Sequence, residues 1–317
     1  MQCLKKIALA AVLAAAMVCS AKELKVLTIG NSFADSAFHY LPSVVKSVPG
    51  CKIEMDRANI GGCTLERHWN EHQKAEKDPN YKPYGWSRKK RTLREILTSK
   101  KWDVVTIQQG SHQSWKPESY EPYAENLIKL IRELAPQAEI VIQQTWSYRI
   151  DDGRFKNWKI GQTEMYDRLT KCYRDLAKKY QLRVIPTGAA VQLTRAKTPD
   201  SEKFKSYDPA ILKTLRWPDL PPQAGDVVGK FYWYKNRKTG EMYIACDAPH
   251  LNARGDYLQA CLWFAALYGR KTSDVKFIPN MIGKSDAEFL QQWSRQRSPF
   301  AFISSQCRDW QHTQRPL

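Results

Sequence analysis

Residues 24–35 read LKVLTIGNSFAD, an apolar run from Leu24 to Ile29 closed by Gly30 and followed at once by the polar pair Asn31-Ser32. A short apolar run rich in β-branched residues and stopped by glycine suits a strand buried on both faces. A helical pattern follows from about Ser36 to Val48. The same alternation continues down the chain. Ile53–Ala58 predicts a weaker strand running into Gly61-Gly62, with a polar helix from about Thr64. Asp103–Ile107 (DVVTI) predicts a strong strand, followed by a helix over Tyr120–Leu134. Glu139–Gln143 (EIVIQ) predicts another strand, Thr163–Tyr180 a helix and Arg183–Pro186 a short fifth strand. Buried strands alternating with helices imply parallel pairing through crossover helices, hence an α/β fold built as a three-layer α/β/α sandwich.

Two regions break the pattern. Residues 196–226 carry Pro199, Pro209, Pro218, Pro221 and Pro222 with little periodicity, which marks an insertion. A hairpin is then predicted from Val227–Tyr234 and Glu241–Ala245, with Phe231, Tyr232, Trp233 and Tyr234 on both faces of its first strand. A helix is expected over Ala253–Tyr268. Another, about Asp286–Ser294, lies within a C-terminal extension (271–317) that ends in a polar tail. With no internal repeat or low-complexity linker, residues 22–317 read as a single domain whose insertion and hairpin occupy about 196–246.

Residues 1–21 place Lys5-Lys6 before the apolar run Ile7–Val18 and the small residues Ser20 and Ala21. That is the pattern of a secretory signal peptide, and the run is too short to span a bilayer as a helix. Cys19 invites a lipoprotein reading, but Val18 stands where a lipobox wants a small residue, so cleavage near Ser20 or Ala21 is expected. The expected location is periplasmic or secreted, with no transmembrane segment. The formal charge of +18 falls to +16 without Lys5 and Lys6. The densest basic run, Arg88-Lys89-Lys90-Arg91 with Arg94, lacks the aromatic interleaving of base-stacking surfaces and reads as a solvated face, so no nucleic-acid partner is expected. Six cysteines follow the leader (Cys51, Cys63, Cys172, Cys246, Cys261, Cys307) without CxxC spacing, too sparse for a disulfide scaffold though one or two bridges are allowed.

The chemistry lies at the two ends of the chain. In open parallel sheets, ligands bind beyond the carboxyl ends of strands where strand order reverses, and Gly30-Asn31-Ser32 follows the first strand. Ser32 then stands near a helix N-terminus, which favours developing negative charge; helix capping by Asn31 or Ser32 is the alternative. Far downstream, Asp247 and His250 are three apart across a Pro-containing turn. A carboxylate beside an imidazole fixes its tautomer, and a serine hydroxyl needs such a base before it can attack an ester.

Gly30-Asn31-Ser32-Phe33 and Asp247-Ala248-Pro249-His250 resemble the first and last blocks of the SGNH/GDSL hydrolase superfamily. Residues 60–69 (IGGCTLERHW), 106–111 (TIQQGS) and 144–148 (QTWSY) sharpen the resemblance to a bacterial branch catalogued as a domain of unknown function. The resemblance covers roughly residues 24–270. It implies a flavodoxin-like five-stranded parallel sheet and acyl transfer through a serine ester. It further implies Ser32 as nucleophile, His250 as general base and acid, and Asp247 as its orienting partner. The implied oxyanion hole uses the Ser32 N–H, a backbone N–H at Gly61-Gly62 and a third donor after the middle strand. The family's Gly-x-Asn-Asp is absent there, and Gln109 of Gln109-Gly110-Ser111 is the expected donor, with Gln108 as competitor. No α/β-hydrolase elbow is available at Ser32, because Ala34 takes the second glycine's place.

Asn31, His112, Trp146 and Trp233 are the candidate substrate contacts; aromatics at strand ends suit stacking on sugars, core packing being the alternative. His68 and His72, at i and i+4, could hold a metal, but without an evident third ligand no metal and no cofactor are expected. The sequence thus points to a serine esterase taking a small ester or an acylated glycan. A lipid or general carboxylesterase on the same triad and a non-catalytic glycan-binding protein on a hydrolase scaffold are the alternatives.

Overall fold

The computed structural model describes residues 22–85 and 89–293. The leader, Cys307 and the tail beyond 293 lie outside the described residues. The N-terminal half contains β1 (Lys22–Gly30), α1 (Ser32–Lys46), β2 (Cys51–Asn59), α2 (Leu65–Lys77), α3 (Leu93–Thr98), β3 (Val104–Ile107) and α4 (Tyr123–Leu134). Next come β4 (Glu139–Gln143), α5 (Arg154–Trp158), α6 (Gln162–Tyr180), β5 (Arg183–Ile185) and α7 (Thr187–Lys197). The rest comprises α8 (Pro209–Thr214), β6 (Val228–Lys235), β7 (Met242–Leu251), α9 (Ala253–Tyr268) and α10 (Lys284–Trp293).

Strands β1 to β5 form one parallel sheet in the order β2-β1-β3-β4-β5, flanked by helices. This is the flavodoxin-like arrangement that the sequence predicts. Strand order reverses between β1 and β3, so the crevice for ligands lies beyond Gly30 and Ile107. The apolar run of β1 explains its central place: Val26, Leu27 and Ile29 are fully buried against both helical layers. Each such side chain contributes about 1.5–3 kcal/mol by leaving water. One continuous core runs from β1 through α9 and out to Ile282 and Leu290, so the part of the extension up to residue 293 packs on the same centre.

Four local features depart from the sequence reading. Helix α1 begins at Ser32, not Ser36, because the Asn31 side chain caps it by accepting from the Phe33 N–H at 3.0 Å. Residues 93–98 form a helix with a Thr92–Glu95 capping box, and residues 187–197 form α7 where no element is predicted. Asp247–His250 does not sit in a turn after the hairpin. Strand β7 runs on through it to Leu251, with Lys230 opposite Asp247. The catalytic candidates of the C-terminal half are therefore mounted on the hairpin itself.

Replacing Leu27 by alanine removes a fully buried side chain from the central strand and should lower the unfolding free energy by about 3 kcal/mol. The expected reading is a lower urea midpoint at unchanged slope; an unchanged midpoint would contradict the central position of β1.

Candidate active site

The turn after β1 is built around Asn31, which is almost wholly buried. Its Oδ1 accepts from the Phe33 N–H and from Gln108 Nε2 at 2.7 Å, while its Nδ2 donates to the Cys63 carbonyl at 2.9 Å. One side chain therefore joins the ends of β1 and β3 to the turn after β2. A Cβ on Gly30 would stand 3.0 Å from the Gln108 side chain, so a residue other than glycine would press on the glutamine that reaches Asn31. His68, fully buried on α2, donates from Nε2 to the Gly30 carbonyl at 3.0 Å and accepts from the Tyr84 hydroxyl at Nδ1, 2.9 Å. On the other side, the amides of Gln143 and Gln259 both donate to the Phe33 carbonyl, at 3.0 and 3.1 Å. Ser32 is thus presented by a backbone fixed from three directions and is itself half-buried.

Ser32 Oγ lies 2.8 Å from His250 Nε2, and His250 Nδ1 lies 2.7 Å from Asp247 Oδ1. With Nδ1–H donating to the carboxylate, Nε2 is left to accept the serine proton. Burial pushes the Asp247 carboxyl up, but the His250 hydrogen bond and charge, with Lys230 nearby, hold it below the ordinary carboxylate value. Asp247 stays ionised at neutral pH, as an orienting group must.

The Gly61-Gly62 turn lies beside the serine. The Ile60 N–H donates to the Gly30 carbonyl at 3.1 Å, the Cys63 N–H closes the turn on Ile60, and Asn31 grips the Cys63 carbonyl. Gly62 has φ +63, a left-handed conformation that glycine adopts without strain. Both glycines are exposed, and a Cβ on either would meet nothing within 4 Å. Ser32 opens α1, where an α-helix leaves its N–H without an intrahelical acceptor. The Ser32 and Gly61-Gly62 N–H groups are therefore the candidate donors for a developing negative charge.

Other predicted site residues stand elsewhere. Gln109 is completely buried: its Nε2 donates to the Ser119 carbonyl and hydroxyl, and its Oε1 accepts from Leu65 and Gly110. It braces the loop after β3 and has no amide proton left for an oxyanion. Gln108 is the glutamine that reaches the serine turn, through Asn31. Asn31 is a buried brace, not a substrate contact. Trp146 is likewise sealed, stacked on Phe33 (centroids 4.0 Å apart, planes at 6°) and donating from Nε1 to the Pro249 carbonyl at 2.9 Å. Phe33 in turn meets the His250 ring edge-on at 5.5 Å. Trp146 positions the histidine segment, and a buried ring has no face to offer a sugar. Trp233 lies on the hairpin face turned to the insertion, donating to the Asp219 carbonyl at 2.9 Å. His112 is half-buried beside Gly110, whose built Cβ would sit 3.3 Å from its ring and 3.1 Å from the Cys63 carbonyl. It therefore borders the Gly61–Cys63 turn.

Several supports have no local signature in the sequence. Arg195 on α7 donates to both Asp226 oxygens at 3.0 Å and reaches Ser147 and Tyr148, while the Arg149 N–H donates to the Ala248 carbonyl at 3.0 Å. Together they fasten the segment after β4 to β7 and so to Asp247 and His250. A cavity of about 240 Å³ beside Arg195 and Phe204 is lined by none of the triad.

His68 and His72 do not make a metal site: His68 is spent on Gly30 and Tyr84, and no cluster of metal-ligating side chains occurs among the described residues. Among those residues Cys63, Cys172, Cys246 and Cys261 carry free thiols, and no helix is long and apolar enough to cross a membrane. Of the basic run, Arg91 is bidentate on Asp56 and Arg94 pairs with Glu76.

The family model described as a domain of unknown function (DUF4886) matches residues 25–212. The chain is similar to a solved DUF4886 family protein from Bacteroides uniformis, with 27% identity and a TM-score of 0.63 over 86% of this chain and 93% of that one. It also matches a candidate SGNH hydrolase from Slackia heliotrinireducens (18% identity, TM-score 0.42, 58% of this chain and 88% of that one). A candidate GDSL-like lipase from Parabacteroides merdae matches at 14% identity and TM-score 0.45, over 79% of this chain and 98% of that one. Among curated proteins no sequence matches.

Burial pushes the His68 imidazole down to about 4 from an ordinary value of 6.5. Between those values the unfolded chain binds the proton and the folded one does not. Stability is therefore full above about pH 6.5 and falls as pH drops toward 4, by about 3 kcal/mol for this group. In His68→Asn that slope should flatten relative to wild type in unfolding titrations at stepped pH; parallel slopes would contradict a neutral, proton-excluding His68.

Proposed function

The chain belongs to the DUF4886 family, and for it we propose the activity of a serine esterase that removes acetyl or other small acyl groups from carbohydrate outside the cytoplasm. One observation carries the reading: the continuous hydrogen-bond chain from Ser32 Oγ through His250 to Asp247, with links of 2.8 and 2.7 Å. As a substrate ester enters, His250 Nε2 takes the hydroxyl proton while Ser32 Oγ attacks the carbonyl carbon. The oxygen that becomes negative is met by the Ser32 N–H and a Gly61-Gly62 N–H, each such donor lowering the barrier by roughly 3 kcal/mol. His250 then returns the proton to the departing alcohol, leaving an acyl-serine. Water, deprotonated by the same imidazole, releases the acid. Asp247 stays charged throughout and stabilises the imidazolium. The leader at residues 1–21, read as a secretory signal, supports the extracytoplasmic setting. An exported enzyme with this machinery meets acylated glycans as ready substrates.

Purified mature protein should hydrolyse p-nitrophenyl acetate faster than the butyrate and octanoate esters. Ser32→Ala should abolish the activity, and Asp247→Asn should cut kcat by about 10⁴-fold, since the asparagine holds the wrong tautomer. Equal rates in wild type and Ser32→Ala would sink the proposal, and a preference for octanoate would move it to lipid substrates.

A further inference from the structure

The β6–β7 hairpin has two unlike faces, and its register assigns each residue to one of them. Directly opposed residues of an antiparallel pair share a face, and alternate residues along a strand return to it. Phe231 opposes Cys246 and Trp233 opposes Ile244. This face is turned to the body of the protein: the Arg149 guanidinium lies 4.6 Å from the Phe231 ring, Arg149 Nη2 is 3.3 Å from Cys246 Sγ, and Phe231 meets Phe204 and Tyr207. The other face carries the pairs Lys230–Asp247, Tyr232–Ala245 and Tyr234–Tyr243. Its three tyrosines are 40%, 40% and 49% exposed, and the rings of Tyr234 and Tyr243 stand 5.4 Å apart.

That exposed row is continuous with the triad, because Asp247 belongs to the same face. From Asp247 to Tyr243 the strand advances four residues, about 13 Å. The small Ala245 leaves the row open between them. Lys230, exposed at the near end, is close enough to Asp247, Asp256 and His39 to act on all three electrostatically. At the far end, the turn exposes Arg237 and Lys238. Contiguous exposed aromatic side chains on one face suit a binding surface, and the negative faces of aromatic rings attract the C–H-lined faces of sugar rings. Basic groups at both ends of the row, on a chain of net charge +18, complement an acidic polymer.

We propose that Tyr232, Tyr234 and Tyr243 form a platform on which an acidic, uronate-bearing polysaccharide lies, its acylated unit reaching Ser32 past Asp247. The proposal rests on the esterase reading for the acylated unit but not for the binding itself. Trp233, on the opposite face, takes no part in it.

The test measures binding of acetylated glucuronoxylan to the full-length Ser32→Ala protein by affinity gel electrophoresis, so that turnover does not enter. Adding Tyr232→Ala, Tyr234→Ala and Tyr243→Ala together should weaken binding at least tenfold, with the thermal midpoint recorded to confirm folding. The corresponding three phenylalanine substitutions, which keep the rings, should restore it. Carboxyl-reduced xylan should bind several-fold more weakly than the native polymer. Binding unchanged by the alanines would overturn the platform, as would a dimer in sedimentation that the alanines dissociate. Equal binding of the carboxyl-reduced polymer would overturn the acidic occupant. If the tyrosines govern binding but wild type releases no acetate, the platform stands and the esterase reading falls.

Discussion

The side-chain amide of Asn31 is the constraint on which the rest of the site depends. Its three hydrogen bonds tie the Phe33 N–H at the start of α1, Gln108 at the end of the middle strand and the glycine turn after β2 into one rigid corner. Without it, the Ser32 turn and the Gly61-Gly62 turn would lose the side chain that joins them, leaving the Ile60 N–H on the Gly30 carbonyl as a remaining link. A buried asparagine left with unmet partners costs more than the bonds it makes contribute. The corner is therefore self-enforcing: the helix start, the Gly30 approach and the turn at Gly61-Gly62 are acceptable together or not at all. His68 adds a fourth anchor by holding the Gly30 carbonyl from below.

The second half of the site arrives from a great distance along the chain. Ser32 and His250 are separated by 218 residues, and what brings them together is the mounting of Asp247 and His250 on β7. That strand is fastened by Trp146 on Pro249, by the Arg149 N–H on Ala248 and, beneath them, by Arg195 and Asp226. Phe33, next to Ser32, is sandwiched between Trp146 and the edge of His250, so the serine turn and the histidine strand share one aromatic wedge. Rigid placement of acid, base and nucleophile is what converts ordinary side chains into a reacting set.

The sequence was legible where a local pattern carries the physics. Apolar runs such as LKVLTI and DVVTI mark strands of a parallel sheet, and a serine after the first strand with Asp-x-x-His near the end marks a site at its rim. It was not legible where direction decides. Gln108 and Gln109 are adjacent and chemically identical, yet one faces Asn31 and the other Ser119; only the path of the backbone after β3 separates them. Trp146 has the composition of a sugar platform and the burial of a core residue. For Trp233 the missing knowledge was hairpin register, since a shift of one residue exchanges the faces. Once Lys230 is known to oppose Asp247, the tyrosines, not the tryptophan, fall on the face that carries Asp247. Asn31 looked like a cap or a contact, and its role as a three-way brace needs the Cys63 and Gln108 partners that fold in from elsewhere.

The central claim is that Ser32 is a nucleophile activated by His250. The most direct measurement is labelling of the protein with a fluorophosphonate, followed by intact and peptide mass analysis. The account predicts one adduct, located on Ser32 and lost in His250→Ala as well as in Ser32→Ala. An adduct on another residue, or labelling of Ser32 at the same rate without His250, would contradict it.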